Sequence, residues 1–339
     1  MEEQYDVVVV GGGPAGLSGA LTLGRARRSV LVVDSGAPRN APAGGVHNYL
    51  GREGTPPGEL LETGRAEVAS YGGAFRTGEV LAADVVPGGF LLRLADGGPV
   101  RARRLLVTTG LVDELPAVPG VRRLWGTDVL HCPYCHGWEV RDQAIGVLST
   151  SPLGVHQALM WRQWSADVTL FVHTGPEPTD EEQEQLAARG VGVVSGEVAE
   201  LETTGDRLSG VRLAGGRVVA RDAVVVAPRL TARSAVLESL GLAAADLEMN
   251  GHVVGSAVAA DPSGLTAVPG VYVAGNVTDL RAQVISSAAA GLNTGAMINA
   301  DLIAADTREA VAARRAAPSS PASGRQLCEQ VPGDRRHGI

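Results

Sequence analysis

The run Cys132-Pro133-Tyr134-Cys135 carries the most evident chemistry in the chain. Two residues between cysteines at a helix start let both sulfurs meet, and a helix N-terminus favours thiolate over thiol. His131 and His136 flank the pair, which opens a zinc alternative. Four ligands within six consecutive residues cannot easily surround one tetrahedral ion, and no second Cys-x-x-Cys completes a site. Redox use of Cys132 and Cys135, without a metal, is the expectation. A second pattern is G-x-G-x-x-G at Gly11, Gly13 and Gly16, with Pro14 and Ala15 inside the same turn. Gly11 permits the tight turn, Gly13 lets the backbone approach a pyrophosphate, and Gly16 allows close helix packing. The helix N-terminus then offers amide donors to the anion. Asp34 stands eighteen residues past Gly16, where a carboxylate accepts ribose hydroxyls.

The elements around these residues read as α/β. The β-branched run at 7–10 suits a buried parallel strand, and a helix over 17–27 and a strand at 30–33 follow. A similar unit recurs as a strand at 145–148, a helix around 155–164 and a strand at 168–172. Two such units predict two Rossmann-like, three-layer nucleotide-binding domains. Extended segments lie at 80–86, 89–95 and 105–108, and a strand at 223–227 mirrors the last of these. Pro116, Pro119 and Gly120 suit a crossing between domains. Residues 251–261 are expected to return to the first domain, and a long small-residue helix should run from about Gln283 to Asp306. The predicted division is 1–114, 115–248, 249–306 and a flexible tail, 307–339, that contains an incidental Cys328. Thr179 and Glu182 fit a capping box.

Composition narrows the class. The chain has 339 residues with a net charge of −8, and all 29 basic residues are arginine. That balance argues against a nucleic-acid binder, and the absence of lysine rules out Schiff-base chemistry. No apolar stretch reaches the roughly 18 residues of a membrane span. The acidic start is unlike a secretory signal, and three cysteines are too few for a disulfide scaffold. A cytoplasmic location follows as an expectation.

Taken together, these residues resemble the thioredoxin-reductase-like flavoproteins over about residues 5–305. The matching features are Gly11–Gly16 with Asp34, the Thr108-Thr109-Gly110 turn, His131-Cys132-Pro133-Tyr134-Cys135-His136-Gly137, and the 271–277 segment before the last helix. Cys-Pro-Tyr-Cys-His-Gly-Trp-Glu resembles in particular the dithiol oxidases that close the disulfides of gliotoxin, holomycin and romidepsin. The resemblance implies FAD, a discontinuous FAD domain interrupted by the Cys-bearing domain, and a homodimer. It places Gly11, Gly13, Pro14, Ala15, Gly16 and Asp34 on the adenosine and pyrophosphate. Asn48, Thr109, Gly110, Gly275, Asn276, Gln283 and Val284 are placed along the rest of FAD. Asn276 stands where the family often has Asp, and the amide keeps hydrogen-bonding capacity. Cys135 would face the flavin and Cys132 the substrate, with His136 as the acid/base in place of the family's Asp.

The direction of electron flow is the open question. A reductase of this kind takes hydride from NADPH and needs a second glycine turn with arginines nearby. Here Leu148-Ser149-Thr150-Ser151-Pro152-Leu153-Gly154 replaces the turn, and His173-Thr174-Gly175 stands where arginines belong. Ser149 and Ser151 would crowd a pyrophosphate. The expectation is a small-molecule dithiol as electron donor and O2 as acceptor, giving H2O2. An NAD(P)H-dependent disulfide reductase and a non-catalytic FAD-binding regulator are the alternatives. Trp125, Trp138, Trp161 and Trp164 fit core packing or an apolar substrate cleft.

Overall fold

The computed structural model describes residues 3–316. Cys328 and most of the expected tail lie outside the described residues. The chain divides into two compact units, Met1–Ile298 and Asn299–Ile339. The fold is mixed α/β with one largely parallel and one wholly parallel sheet, as the paired strand-turn-helix patterns imply.

In the first sheet, Glu3–Val10 lies between Val30–Asp34 and Val100–Val107, parallel to both. A strand covered on both faces reads as a continuous apolar run, and Val7, Val8 and Val9 are completely buried. Burying each such side chain contributes about 1.5–3 kcal/mol. Ala74–Thr77 adds a parallel edge beyond Val30–Asp34. Val100–Val107 has a different neighbour at each end. Its first residues pair antiparallel with Gly89–Leu94, and residues 105–107 pair parallel with Val271–Val273. Gly89–Leu94 continues antiparallel to Val80–Val86.

The second sheet is wholly parallel, in the order Gly192–Val194, Val168–Phe171, Ile145–Leu148, Ala223–Val226, Val129–Leu130. Side-chain alternation gives it two apolar faces. Leu148, Phe171, Val224 and Val226 pack with Val198, Leu201, Leu208 and Val211 of an antiparallel meander. Ile145, Val147, Leu170 and Val225 pack with Val155, Ala158, Trp161 and Leu186 from helices Gly154–Trp161 and Asp180–Ala188. The latter helix opens with the Thr179–Glu182 capping box that its sequence predicts.

The strands Leu111–Glu114 and Arg229–Ala232 pair antiparallel where the chain leaves the first sheet and comes back. Ala232, Val236, Leu237 and Leu242 share a core with Val8 and Val33, so the chain is against the first sheet again before residue 249. The last helix runs Val284–Ala316, ten residues past the expected end at Asp306. Residues 306–316 are rich in Ala and Arg and hold no Gly or Pro, so nothing stops the helix there.

Candidate active site

The first glycine turn is shaped by contacts that leave no room for side chains. Gly11 adopts φ 105°, and a Cβ there would meet the Thr108 carbonyl oxygen at 2.6 Å. Thr108 Oγ1 donates to the Gly11 oxygen at 2.8 Å and ties the turn to the neighbouring strand. Gly16 packs directly on the Gly11 carbonyl, and this close approach sets where helix Pro14–Arg25 begins. Gly13 differs from both. Nothing lies within 4 Å of a Cβ built on it, so it borders open space. That space is a cavity of about 870 Å³, within the range of roughly 300–1,000 Å³ found for cofactor sites.

The cavity reaches from the glycine turn to the cysteine pair. Gly11, Gly13, Pro14, Ala15, Asp34, Thr109, Gly110, Gly275, Asn276, Gln283 and Val284 line it, together with Cys132, Cys135 and His136. Gly16 and Asn48 are not part of this lining. Asp34 Oδ1 accepts the Gly12 N–H at 3.0 Å, and Oδ2 is held by Arg65. Each carboxylate oxygen has a second lone pair, so ribose hydroxyls can still be accepted. Asn276 lines the cavity with its amide nitrogen committed to its own loop. Nδ2 donates to the Asp279 and Ala282 carbonyls, both at 2.9 Å, and folds the loop that delivers Gln283 to the helix start. An extended dinucleotide cofactor fits this arrangement, because the open Gly13, the acid and the helix start share one cavity.

Cys132 and Cys135 form a disulfide with a Cα separation of 5.3 Å. Cys132 caps a helix of one turn, Pro133–His136. One turn aligns few peptide dipoles, so the thiolate-favouring field expected from a helix start is weak here. Both ring nitrogens of His136 are enclosed and have no hydrogen-bond partner. Burial pushes this imidazole below the ordinary histidine range, against the attraction of Glu139. His136 is therefore neutral at pH 7 and ready to accept a proton. His131 is shifted the same way by burial, and its Nδ1 lies 3.3 Å from the Val226 carbonyl. Among the described residues, no group of three or more His, Cys, Asp or Glu is arranged to hold a metal.

Aromatic residues brace the cysteine turn. Tyr134 meets Trp164 edge-on at 5.6 Å, and Trp164 covers Gly137. Trp161 is fully buried, Trp125 lines the cavity, and Trp138 is exposed beneath Arg141 at 4.2 Å. Trp161 and Trp164 pack on each other at 6.1 Å, and of the four tryptophans Trp125 alone lines the cavity.

The second glycine-turn position is closed. Ser149, 4 % exposed, points its Oγ at the Ser151 carbonyl at 3.1 Å. Its side chain lies hard against both Gly154 and Gly175, filling the gap between the turn and the next strand end. Ser151 Oγ accepts the Leu153 N–H at 3.3 Å. His173 Nδ1 accepts the Val198 N–H at 3.0 Å, so this side chain is spent on the adjoining meander.

Sequence reasoning missed several residues at this site. Arg65, on helix Pro57–Ser70, holds Asp34. His47 lines the cavity and bonds Glu53 at 2.6 Å, within the segment that also carries Asn48. Gln157 and Met160 line the cavity from one face of helix Gly154–Trp161, where their i, i+3 spacing was the available signal.

The comparisons agree with this geometry. The pyridine nucleotide-disulphide oxidoreductase family model matches residues 5–295. Thioredoxin reductase tcpT of Claviceps purpurea is 29% identical over 310 residues, covering 88% of this chain and 94% of its own. The crystal structure of HlmI is similar at 48% identity with a TM-score of 0.85, covering 93% of this chain and 98% of that one. An oxidoreductase from Agrobacterium tumefaciens is 35% identical with a TM-score of 0.82, covering 89% and 99%. With a matched model across almost the whole described fold and a disulfide lining the same cavity as the glycine turn, the chain belongs to the pyridine nucleotide-disulphide oxidoreductase family and is a thioredoxin-reductase-like oxidoreductase.

Proposed function

We propose that the chain is an FAD-dependent dithiol oxidase that forms a disulfide in a small-molecule dithiol, with O2 as acceptor and H2O2 as product. The observation that carries this reading is the contrast between the two glycine turns. The first opens on a large cavity at Gly13, and the second is filled by Ser149 where a pyridine nucleotide's pyrophosphate would lie. Without a hydride donor, electrons must enter through sulfur.

Gly11, Gly13, Pro14, Ala15 and Asp34 would hold the adenosine and pyrophosphate of FAD, with Gly16 setting the turn through its packing on Gly11. Thr109, Gly110, Gly275, Asn276, Gln283 and Val284 would hold the remainder, and Asn48, outside the lining, would act through its hydrogen bond to the Tyr134 carbonyl. When bound, FAD supplies a two-electron acceptor that O2 can reoxidise. The protein's own chemistry is thiol–disulfide exchange. A substrate thiolate attacks Cys132 Sγ, the Cys132–Cys135 bond breaks, and Cys135 leaves as a thiolate. His136, neutral and unpartnered, takes the substrate thiol's proton and returns it to the leaving sulfur. The second substrate thiol then displaces Cys132 and closes the product disulfide.

The test mixes the purified yellow protein anaerobically with NADPH, then with a dithiol. Bleaching by the dithiol alone, followed by O2 uptake and peroxide release on aeration, is the expected result. Cys132→Ser and Cys135→Ser should each abolish it. A second reading, an NAD(P)H-dependent reductase, is favoured by relatives that bear the name thioredoxin reductase. Rapid bleaching by NADPH alone would decide for it. We assign the FAD-binding part to 1–114 and 249–306 and the Cys-bearing part to 115–248. We place the enzyme in the cytoplasm as a homodimer, which gel filtration against the monomer mass of 34.8 kDa tests.

A further inference from the structure

Oxidising a dithiol moves two protons, and His136 is a poor place for the second. Its ring nitrogens are enclosed and bonded to nothing, so a proton held there has no neighbour to share it with. A second imidazole lines the same cavity. His47 Nδ1 lies 2.6 Å from Glu53 Oε1, and Nε2 lies 3.5 Å from Glu139 Oε1. Both carboxylates are open to water, at 64% and 43% side-chain exposure. A carboxylate hydrogen-bonded to one ring nitrogen fixes the tautomer and orients the ring.

The segment holding His47 is tied to the cysteine turn. Glu53 Oε2 accepts the Asn48 N–H at 2.8 Å, which supports Asn48 at φ 58°. From that conformation Asn48 Nδ2 donates to the Tyr134 carbonyl at 2.6 Å, between the two cysteines in sequence. One carboxylate thus fixes both His47 and the amide that grips the Cys-x-x-Cys turn. The ionisable groups facing His47 are Glu53 from its own segment, Glu139 from beyond the turn, and His136 from the turn itself. Glu53 is held below the usual carboxylate range chiefly by its hydrogen bond with His47.

We propose that His47, positioned by Glu53, is a second proton acceptor of the site, serving the substrate thiol that expels Cys132 while His136 serves the thiol that expels Cys135. This rests on the reading that a small dithiol reduces the Cys132–Cys135 disulfide. The exchange balances within the site. Two substrate S–H bonds and the Cys132–Cys135 bond break, and one substrate S–S bond and two cysteine S–H bonds form. Two electrons pass from substrate to the cysteine pair, and the two protons pass through the two imidazoles to the departing sulfurs. His47 also connects the cavity to water through Glu53 and Glu139, which lets the site re-equilibrate between turnovers.

The experiment uses the full-length flavoprotein under anaerobic conditions with dithiothreitol as the probe. Free Cys132 and Cys135 thiols are counted by alkylation and mass spectrometry against time, between pH 6 and pH 10. In His47→Gln the rate at pH 7 should fall by about 10²-fold, the lower end of general-base contributions. Above about pH 9 the probe thiols ionise unaided, and the deficit should close to within a few-fold. Glu53→Gln should shift the acidic limb of the rate profile while leaving the rate at high pH near wild type. A His47→Gln deficit that is the same at every pH would mean a merely structural role and overturn the proposal, as would an unchanged rate and limb. If His47→Gln does not fold, the Glu53→Gln limb decides alone, and an unshifted limb overturns the proposal. The readout needs neither O2 nor peroxide, so it separates the two claims. A wild-type pair that dithiothreitol cannot reduce defeats both, whereas a reducible pair indifferent to His47 defeats only this one.

Discussion

The two strand-turn-helix units of this chain have the same design and opposite outcomes. At the first, Gly13 faces open space and the helix start borders a cavity of about 870 Å³. At the second, the helix Gly154–Trp161 begins beside a strand of the same parallel kind, but the Ser149 side chain occupies the approach. A nucleotide site of this sort is made by absence of side chains. On the proposed reading, the hydroxymethyl group of Ser149 helps to close the second approach, while the surrounding strands and helices stay intact.

The comparison breaks most sharply if the first turn is made to resemble the second. Gly13→Val adds a side chain whose Cβ has no protein atom within 4 Å, so the apo fold should keep its Tm within a few degrees. The same side chain projects into the cavity where the cofactor backbone must pass. The purified variant should be colourless, and added FAD should fail to restore the flavin spectrum or the dithiol-dependent activity. A yellow, active Gly13→Val protein would remove the basis for assigning this turn to a cofactor.

Asp34→Ala should have the next largest effect. It removes the acceptor of the Gly12 N–H and leaves Arg65 facing a hole. Loss of such a partner costs about 1–3 kcal/mol. Titration of the apoprotein with FAD should show affinity weakened by roughly ten-fold or more, since 1.4 kcal/mol corresponds to a factor of ten. Unchanged affinity would place the ribose elsewhere.

What the sequence made legible follows from this contrast. The buried valines of Glu3–Val10, the glycine spacing and Asp34 are local signals, and each reports a constraint that a single segment must satisfy. Ser149 was legible for the same reason, since a missing glycine shows in one dimension. Helix Pro57–Ser70 was not read, because it buries only Pro57 and Val68 and so carries little periodicity. Its Arg65 reaches Asp34 across 31 residues of chain, which no local pattern encodes. The Asn48–Tyr134 bond spans 86 residues, and the enclosure of His136 depends on elements far apart in sequence. The weak field at the one-turn helix Pro133–His136 was hidden too, because Gly137 keeps helical φ and ψ and the helix does not end on a left-handed glycine that the sequence would announce.

Sharpening the comparison from the other side, Ser149→Gly should reopen space at the second turn. It loses the Ser149–Ser151 hydrogen bond, worth about 1 kcal/mol, and adds backbone freedom of about 0.5–1 kcal/mol. Tm should fall by a few degrees. Dithiol oxidation should stay within about two-fold of wild type, because Ser149 lies outside the cavity lining. NADPH should still fail to bleach the flavin. His173, Thr174 and Gly175 offer no arginine to the 2′-phosphate, and His173 is held by Val198. Efficient NADPH oxidation by this single variant would show that Ser149 alone separates the two halves.

The smallest effect separates the halves by pH. His131, His136 and His173, all between the crossing strands, have their pKa lowered by burial. In the unfolded chain these imidazoles take up protons near pH 6.5, and in the folded chain they resist doing so. Below about pH 6.5 the unfolded state therefore binds more protons, and stability falls as pH falls. The first half has the opposite kind of group. Asp6 and Asp261 are lowered below the ordinary carboxylate range by hydrogen bonds, which outweigh desolvation. Their stabilisation is complete above the unfolded carboxylate pKa and is lost only as pH drops through their lower folded values. Between about pH 6.5 and pH 5, then, the Cys-bearing half loses stability while the first half does not. Hydrogen exchange at pH 5.5 against pH 7.5 should show faster opening, corrected for intrinsic rates, in Ile145–Leu148 and Ala223–Val226 than in Glu3–Val10. His173→Gln, whose amide oxygen can still accept the Val198 N–H, should reduce that acid sensitivity without touching the cavity, and an undiminished response would shift the effect onto His131 and His136.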